Sequence, residues 1–213
     1  MTQKHLFALV AVTTMAAASH CDAVTILNPG FELPAHTAND GTDPTNWTVV
    51  ETITGTNPDR QVRTRNTGAR SGAMSVQLGA GNSNHEGQLY QTVTTAIGQL
   101  YTFSIWGSVL NNSNTPELQN FRVDLVDGTG VAGTSLANVT SAGTLSTTYK
   151  EFTVNFTAIS TETTIWIRDI STAGTADGND IFLDDVSITA IPEPSAAALL
   201  GLGALSLVLR RRK

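Results

Sequence analysis

Cysteine is nearly absent from this chain of 213 residues, with Cys21 the single one, so no internal disulfide and no thiolate metal cluster can form. Charge is also scarce: 14% of residues are charged, against roughly 25% in an ordinary soluble domain. Basic residues are the scarcer sign, and the formal net charge of −6 argues against a nucleic-acid partner, whose phosphates require Lys and Arg. Only four histidines occur, no serine sits in a Gly-x-Ser-x-Gly elbow, and no His-Glu-x-x-His is present. Hydrolytic chemistry therefore has no visible set of residues, and the chain reads as non-enzymatic. What is abundant is Gly, Thr, Ser, Asn and Ala, a composition suited to a turn-rich β protein outside the cytoplasm.

The two ends differ from the body. Lys4 and His5 precede an apolar run over 6–18 and a small-residue exit, the pattern of a secretory signal peptide over 1–23. Cleavage after Ala23 leaves a mature chain without cysteine; a lipoprotein reading would keep Cys21, but it wants a small residue at position 20, where His20 stands. At the other end Ile191-Pro192-Glu193-Pro194-Ser195 leads into an apolar run over 196–209 and then Arg210-Arg211-Arg212-Lys213. Fourteen apolar residues make about 21 Å of helix, short for a hydrocarbon core of about 30 Å. Counting from Ile191 and letting the arginines snorkel makes a thin span feasible, with the cations on the cytoplasmic side.

This tripartite tail, over 191–213, resembles the PEP-CTERM sorting signal of Gram-negative, often biofilm-forming bacteria, with Pro192, Glu193 and Pro194 at the recognition motif. The resemblance implies export, processing by an exosortase-type membrane enzyme, transient anchoring in the inner membrane through the tail helix, and arrival at the cell surface or in the extracellular matrix.

Removing Lys4, the four terminal cations, Asp22 and Glu193 leaves 7 basic and 16 acidic residues in the body over 24–190, near −9. Apolar and polar residues alternate with period two along it, and no stretch sustains helical spacing. Strands are expected over 24–27, 47–51, 61–65, 73–78, 88–93, 100–110, 121–126, 149–156, 163–170 and 181–189. Turn clusters such as Thr67-Gly68-Ala69-Arg70-Ser71-Gly72 separate them. Ten short strands without helical spacers imply an all-β, antiparallel two-sheet sandwich.

The body resembles the jelly-roll carbohydrate-binding modules that accompany xylanases, cellulases and laminarinases. The residues that carry the likeness are Asn28-Pro29-Gly30-Phe31-Glu32, then Asn46-Trp47, then Leu100 to Trp106, and finally Ile181 to Ile188. A polysaccharide is the partner this implies. In the resembling modules a structural calcium ties the first strand to the last, and Glu32 and Asp184 stand at the matching positions.

Strand parity sorts the aromatic residues. Tyr101, Phe103 and Ile105 read as core and Trp106 as the opposite face; Ile165 and Ile167 are set against Trp166 and Arg168, and Phe121, Val123 and Leu125 against Arg122 and Asp124. One sheet face could then gather Trp106, Trp166, Tyr149, Arg122, Asp124, Arg168 and Glu151, rings and hydrogen-bonding charges of the kind a sugar needs. The alternative is that both tryptophans pack under loops and that Arg122–Asp124 and Arg168–Glu151 are ordinary cross-strand neighbours. Trp47 reads as core. Asp184 shares parity with Phe182, Val186 and Ile188, so it is expected to point inward and to need a compensating partner: calcium, backbone N–H groups or an arginine.

Overall fold

Ten strands form among the described residues, the longer ones where apolar and polar residues alternate. In the computed structural model, which describes residues 24–35, 41–51, 61–79, 86–109, 119–171 and 181–192, they are β1 (Thr48–Val50), β2 (Val62–Arg65), β3 (Ser75–Leu78), β4 (Gln88–Thr94), β5 (Leu100–Val109), β6 (Phe121–Asp127), β7 (Ser135–Thr140), β8 (Lys150–Thr157), β9 (Glu162–Asp169) and β10 (Ile181–Ala190). One sheet has the order β1-β4-β9-β6-β7 and the other β2-β3-β10-β5-β8. All recorded strand pairs are antiparallel. The architecture is the expected all-β jelly-roll sandwich. The signal peptide, the tail beyond Pro192, His36 and His85 lie outside the described residues, and among those described no helix is long and apolar enough to cross a membrane.

The core lies between the sheets and follows from parity. Tyr101, Phe103 and Ile105 of β5 face Phe121, Val123 and Leu125 of β6 and Ile165 and Ile167 of β9, all at most 2% exposed. Burying each such phenylalanine or isoleucine contributes about 1.5–3 kcal/mol. Phe121 of one sheet meets Phe152 of the other edge-on, with centroids 5.0 Å apart. Gly107 lets the layers close here, because a Cβ on it would stand 2.8 Å from Cε1 of Phe121. Phe31 and Trp47, centroids 5.2 Å apart, belong to the same core, so Trp47 is the core residue its position suggests.

Two strand assignments change. Residues 24–27 form no strand: the N–H and C=O of Leu27 are bonded by the side-chain amide of Gln91, which takes the place of a neighbouring backbone. Val24 and Ile26 still pack against the core, which explains their alternation. Conversely β7 is an edge strand whose residues are all half-buried or exposed, so its sequence shows no clean alternation.

Candidate functional site

The outer face of the β1-β4-β9-β6-β7 sheet carries two rows of side chains fixed by strand register. One row runs Thr48, Tyr90, Trp166, Asp124, Asn138, each opposite the next on the adjoining strand. The next row runs Gln88, Arg168, Arg122, Thr140. Tyr90, Trp166, Gln88, Arg168 and Arg122 are half-buried, so each ring or polar head reaches solvent from a packed base.

Asp124, 3% exposed, is the hub of this face. Nη2 of Arg122 donates to its Oδ1 at 2.6 Å and Nε of Arg122 to its Oδ2 at 2.9 Å, and Nη2 of Arg168 donates to the same Oδ2. Burial alone would raise its pKa, but the hydrogen bonds and charges of Arg122 and Arg168 prevail and hold it below the ordinary carboxylate value. The guanidinium carbon of Arg168 lies 3.9 Å from the centroid of the Trp166 ring, whose Nε1 donates to Oε1 of Gln88 at 2.9 Å. The cluster is thus a fixed ring edge with two cations sharing one anion. It presents donors and an aromatic surface without a proton donor poised near neutrality.

Trp106 and Tyr149 do not join it. Trp106 is on β5 in the other sheet, directly opposite Glu151 of β8 and Asp184 of β10, so the expected single face is divided between the two outer surfaces of the sandwich. The 66–73 turn covers this second surface. Arg70 lies over the Trp106 ring at 3.6 Å, Nη1 of Arg70 meets Asp185 at 2.5 Å, and the Tyr149 hydroxyl donates to the carbonyl of Gly68. For Trp106 the loop-packed alternative holds. The cross-strand reading fails for both pairs: Arg122 and Asp124 are two residues apart on the one strand β6, where Arg168 of β9 is the cross-strand arginine that reaches Asp124, and Arg168 and Glu151 lie in different sheets.

Asp184 is fully buried but does not face the core. Ile181 and Leu183 point inward, and Phe182 and Asp184 point outward beneath the turn; a bulge between Asp184 and Ser187, with Asp185 at φ 48°, then reverses the parity so that Val186 and Ile188 face the core. Its carboxylate accepts the N–H groups of Arg70 at 2.8 Å, Ser71 at 3.2 Å and Asp185 at 2.8 Å. Burial nevertheless pushes its pKa up to about 6, against the pull of those N–H groups. Glu32 plays a parallel part, accepting the N–H groups of Ala73 at 3.1 Å and Met74 at 3.3 Å. Both expected metal ligands therefore hold the 70–74 segment, and among the described residues no group of three or more His, Cys, Asp or Glu is arranged to hold a metal ion.

The family model described as HpiC1-like, HpiC1 cyclase, matches residues 22–189. The chain belongs to the HpiC1-like family. This HpiC1-like body is followed by a match to the PEP-CTERM protein-sorting motif over 190–213, so the protein carries an export and surface-sorting signal. No curated protein matches the chain by sequence. Among solved structures, the HpiC1-like body is similar to the carbohydrate-binding module TmCBM61 in complex with β-1,4-galactotriose, at TM-score 0.53 and 18% identity over 78% of this chain and 97% of that one. The enzymatically active domain of tailspike protein 4 of bacteriophage CBA120 gives TM-score 0.51 and 15% identity over 78% of this chain and 21% of that one. The CBM22-1–CBM22-2 tandem domain of Xyn10C from Paenibacillus barcinonensis gives 0.50 and 14% over 84% and 49%. At these identities the likeness is one of fold.

Tyr90 and Gln88, with the smaller Thr48, Asn138 and Thr140, are the members of the face that the sequence reading passes over. Parity within β4 carries the signal, since Leu89 and Val93 alternate with Gln88, Tyr90 and Thr92.

Proposed function

We propose that the protein is a non-catalytic, glycan-binding component of the cell surface or extracellular matrix, which binds a polysaccharide on the outer face of the β1-β4-β9-β6-β7 sheet. The observation that carries this reading is the row Tyr90–Trp166–Asp124 beside Arg168 and Arg122: two rings and a braced set of hydrogen-bond donors on three adjoining strands. Sugars stack their C–H faces on such rings and pair their hydroxyls with such groups. The domain is delivered by its sorting tail, held in the inner membrane through 191–213 until an exosortase-type enzyme processes it, after a signal peptide over 1–23 has been removed.

A glycan array tests it. Wild-type protein binds one or a few polysaccharides, Trp166→Ala and Tyr90→Ala lose that binding, and Trp106→Ala keeps it. Absence of binding by the folded wild type across neutral and acidic glycans leaves a purely structural matrix protein. The contact of Arg168 with Trp166 favours that second reading, because part of the ring is already covered.

The family description names a cyclase, and a catalytic reading asks for an accessible acid. Asp124 is held ionised by its arginines, and the acid raised to about 6, Asp184, is sealed beneath the 66–73 turn. Both facts support binding over catalysis.

A structural calcium at Glu32 and Asp184 is a separate proposal. In its support, a Cβ built on Gly30 would lie 3.6 Å from Oδ1 of Asp184, 3.7 Å from Oδ1 of Asp185 and 3.8 Å from Cγ of Glu32, so the three acids border one glycine, though not in an arrangement that already forms a metal site. An ion would take oxygens now bonded to the 70–74 N–H groups. Chelator then lowers the melting temperature of wild type and leaves that of Glu32→Ala unchanged; a wild type indifferent to chelator removes the calcium.

A further inference from the structure

The carboxylate between Arg122 and Arg168 neutralises only half of the positive charge around it. The two arginines stand directly opposite each other on β6 and β9, and like charges at such positions repel. Asp124 bridges them, and among the described residues it is the ion-pair partner of both. Two cations on one anion leave a surplus positive charge, on a body whose acids outnumber its bases by 16 to 7. The other side chains of the two rows, Thr48, Tyr90, Gln88, Asn138 and Thr140, carry no charge. Acids stand only at the far ends of this face. Glu162 begins β9 six residues before Arg168, about 20 Å along the strand and beyond the screening length of about 8 Å in physiological salt. Glu86, just before β4 at the opposite end, makes no ion pair with either arginine.

Hydrogen-bonding capacity is left over as well. A guanidinium is a planar fork of N–H donors, and Asp124 accepts three of those on this pair: Nε–H and one Nη2–H of Arg122, and one Nη2–H of Arg168. The Nε–H of Arg168 is buried without an acceptor. The donors that remain are all on Nη atoms, at side chains that are 36% exposed in Arg122 and 26% in Arg168. Asp124 has no oxygen to spare for them, since both of its oxygens already accept from arginine and its side chain is 4% exposed. A second acceptor has to come from outside the cluster.

The donors are also fixed in advance. Trp166 holds the guanidinium of Arg168 against its ring, and Asp124 holds that of Arg122 by two N–H groups, so an arriving anion has little side-chain motion to freeze. Tyr90 stands opposite Trp166 on β4, which sets the second ring within one strand spacing of the first.

We propose that the Arg122 and Arg168 pair takes the anionic group of an acidic polysaccharide, a carboxylate or a sulfate ester, whose oxygens accept from the outward Nη N–H groups while the sugar ring that bears it lies along Tyr90 and the open part of Trp166. The proposal rests on the reading of this face as a glycan site, and it names the class of glycan. A neutral sugar leaves the surplus cation unmatched, whereas one charged residue of an acidic chain matches it one for one. The acidic body then works as a filter. It repels a polyanion away from this face, so stable binding requires a charged sugar seated at the arginine pair.

The test measures binding of the full chain, kept in detergent, to polygalacturonate, dextran sulfate, galactan and xylan by biolayer interferometry at low salt. At least one acidic polymer is expected to bind about tenfold tighter than both neutral ones, and raising the salt should weaken it. Which of the two acidic polymers binds tells a carboxylate from a sulfate ester. Arg122→Gln should lower that affinity about tenfold or more. Thr140→Glu should do the same without removing a cation, because a carboxylate opposite Arg122 on the edge strand β7 takes the same N–H groups; it decides the matter if Arg122→Gln does not fold. Lys150→Gln, which removes one positive charge from the other sheet, should leave the affinity unchanged. Unchanged affinity in folded Arg122→Gln or Thr140→Glu overturns the proposal, and so does an equal loss in Lys150→Gln, which would mean attraction by overall charge. Binding of galactan or xylan alone, lost in Trp166→Ala, overturns the charged class and keeps the face as a glycan site. Binding of none of the four polymers by the folded wild type overturns both.

Discussion

The guanidinium carbon of Arg70 lies over the Trp106 ring, 3.6 Å from its centroid, and the same group bridges to Asp185. The ring is thereby a seat for the 66–73 turn, and its two cross-strand neighbours, Asp184 and Glu151, complete a structural face. Arg70→Ala is expected to shift the tryptophan emission to the red and to cost about 1–2 kcal/mol of stability, from the lost cation–π contact and ion pair. Unchanged emission would mean that the ring is covered by something other than Arg70.

Gly72 and Gly98 separate backbone strain from side-chain collision. Both have positive φ, +63° and +80°, but a Cβ at Gly72 would stand 2.1 Å from Oε1 of Glu32 while one at Gly98 meets nothing within 4 Å. Gly98→Ala is expected to cost about 1 kcal/mol, the strain of the left-handed conformation. Gly72→Ala should cost more, about 2–4 kcal/mol, because Glu32 must give up its N–H partners as well. Denaturant midpoints measure both; equal losses would remove Glu32 from the anchoring of the turn.

Asp184→Ala leaves the N–H groups of Arg70 and Ser71, which close over this buried carboxylate, without their acceptor. The expected loss is about 2–6 kcal/mol, at about 1–3 kcal/mol for each of these two donors. Amide exchange at residues 70 and 71 should accelerate ahead of that in β5 and β9, since the turn can lift without opening the sandwich. Uniform acceleration across the domain would place the effect in the core instead.

The arginine-braced Asp124 sets an acid dependence. Its folded-state pKa lies below the ordinary value, so its contribution to stability is present in full above about 4, the pKa of an unfolded aspartate, and is lost as pH falls through the folded value. Asp124→Asn is therefore expected to be less stable than wild type at pH 7, by about 1–3 kcal/mol, and the gap should narrow below about pH 4. A gap that stays constant down to pH 2.5 would show that the carboxylate charge contributes nothing.

Most of the sandwich was legible because its strands bury one face, and period two is then written directly into Tyr101–Phe103–Ile105, Phe121–Val123–Leu125 and Ile165–Ile167. Where a strand has no fully buried residue, as in β7, the contrast is too weak to read. Where an apolar pair packs on the core without a backbone partner, as Val24 and Ile26 do, the contrast is present without the strand.

The face that carries Trp166 was legible in part. Parity gives the face of each residue within its strand, and so it joined Arg122, Asp124, Trp166 and Arg168 correctly. It does not say which sheet a strand enters, and so Trp106 was placed with Trp166 when a whole sandwich lies between their sheets. At Asp184 parity itself fails, because a bulge inserts a residue and everything after it changes sides. Only the Asp184-Asp185 pair with its positive φ marks that point, and nothing in the local sequence announces it.

The position of β10 has a temporal meaning. The last strand to leave the ribosome is an interior one, bonded to β3 on one side and β5 on the other. Until residues 181–190 arrive, the second sheet remains two fragments with open edges, so a chain crossing a membrane from its amino end cannot close its fold before nearly all of it has crossed. The sorting motif begins at residue 190, so the strand that completes this sheet is directly followed by the tail. Trimming by a processing enzyme that reached upstream of Ala190 would withdraw this keystone, which restricts a fold-preserving cut to the few residues beyond the domain.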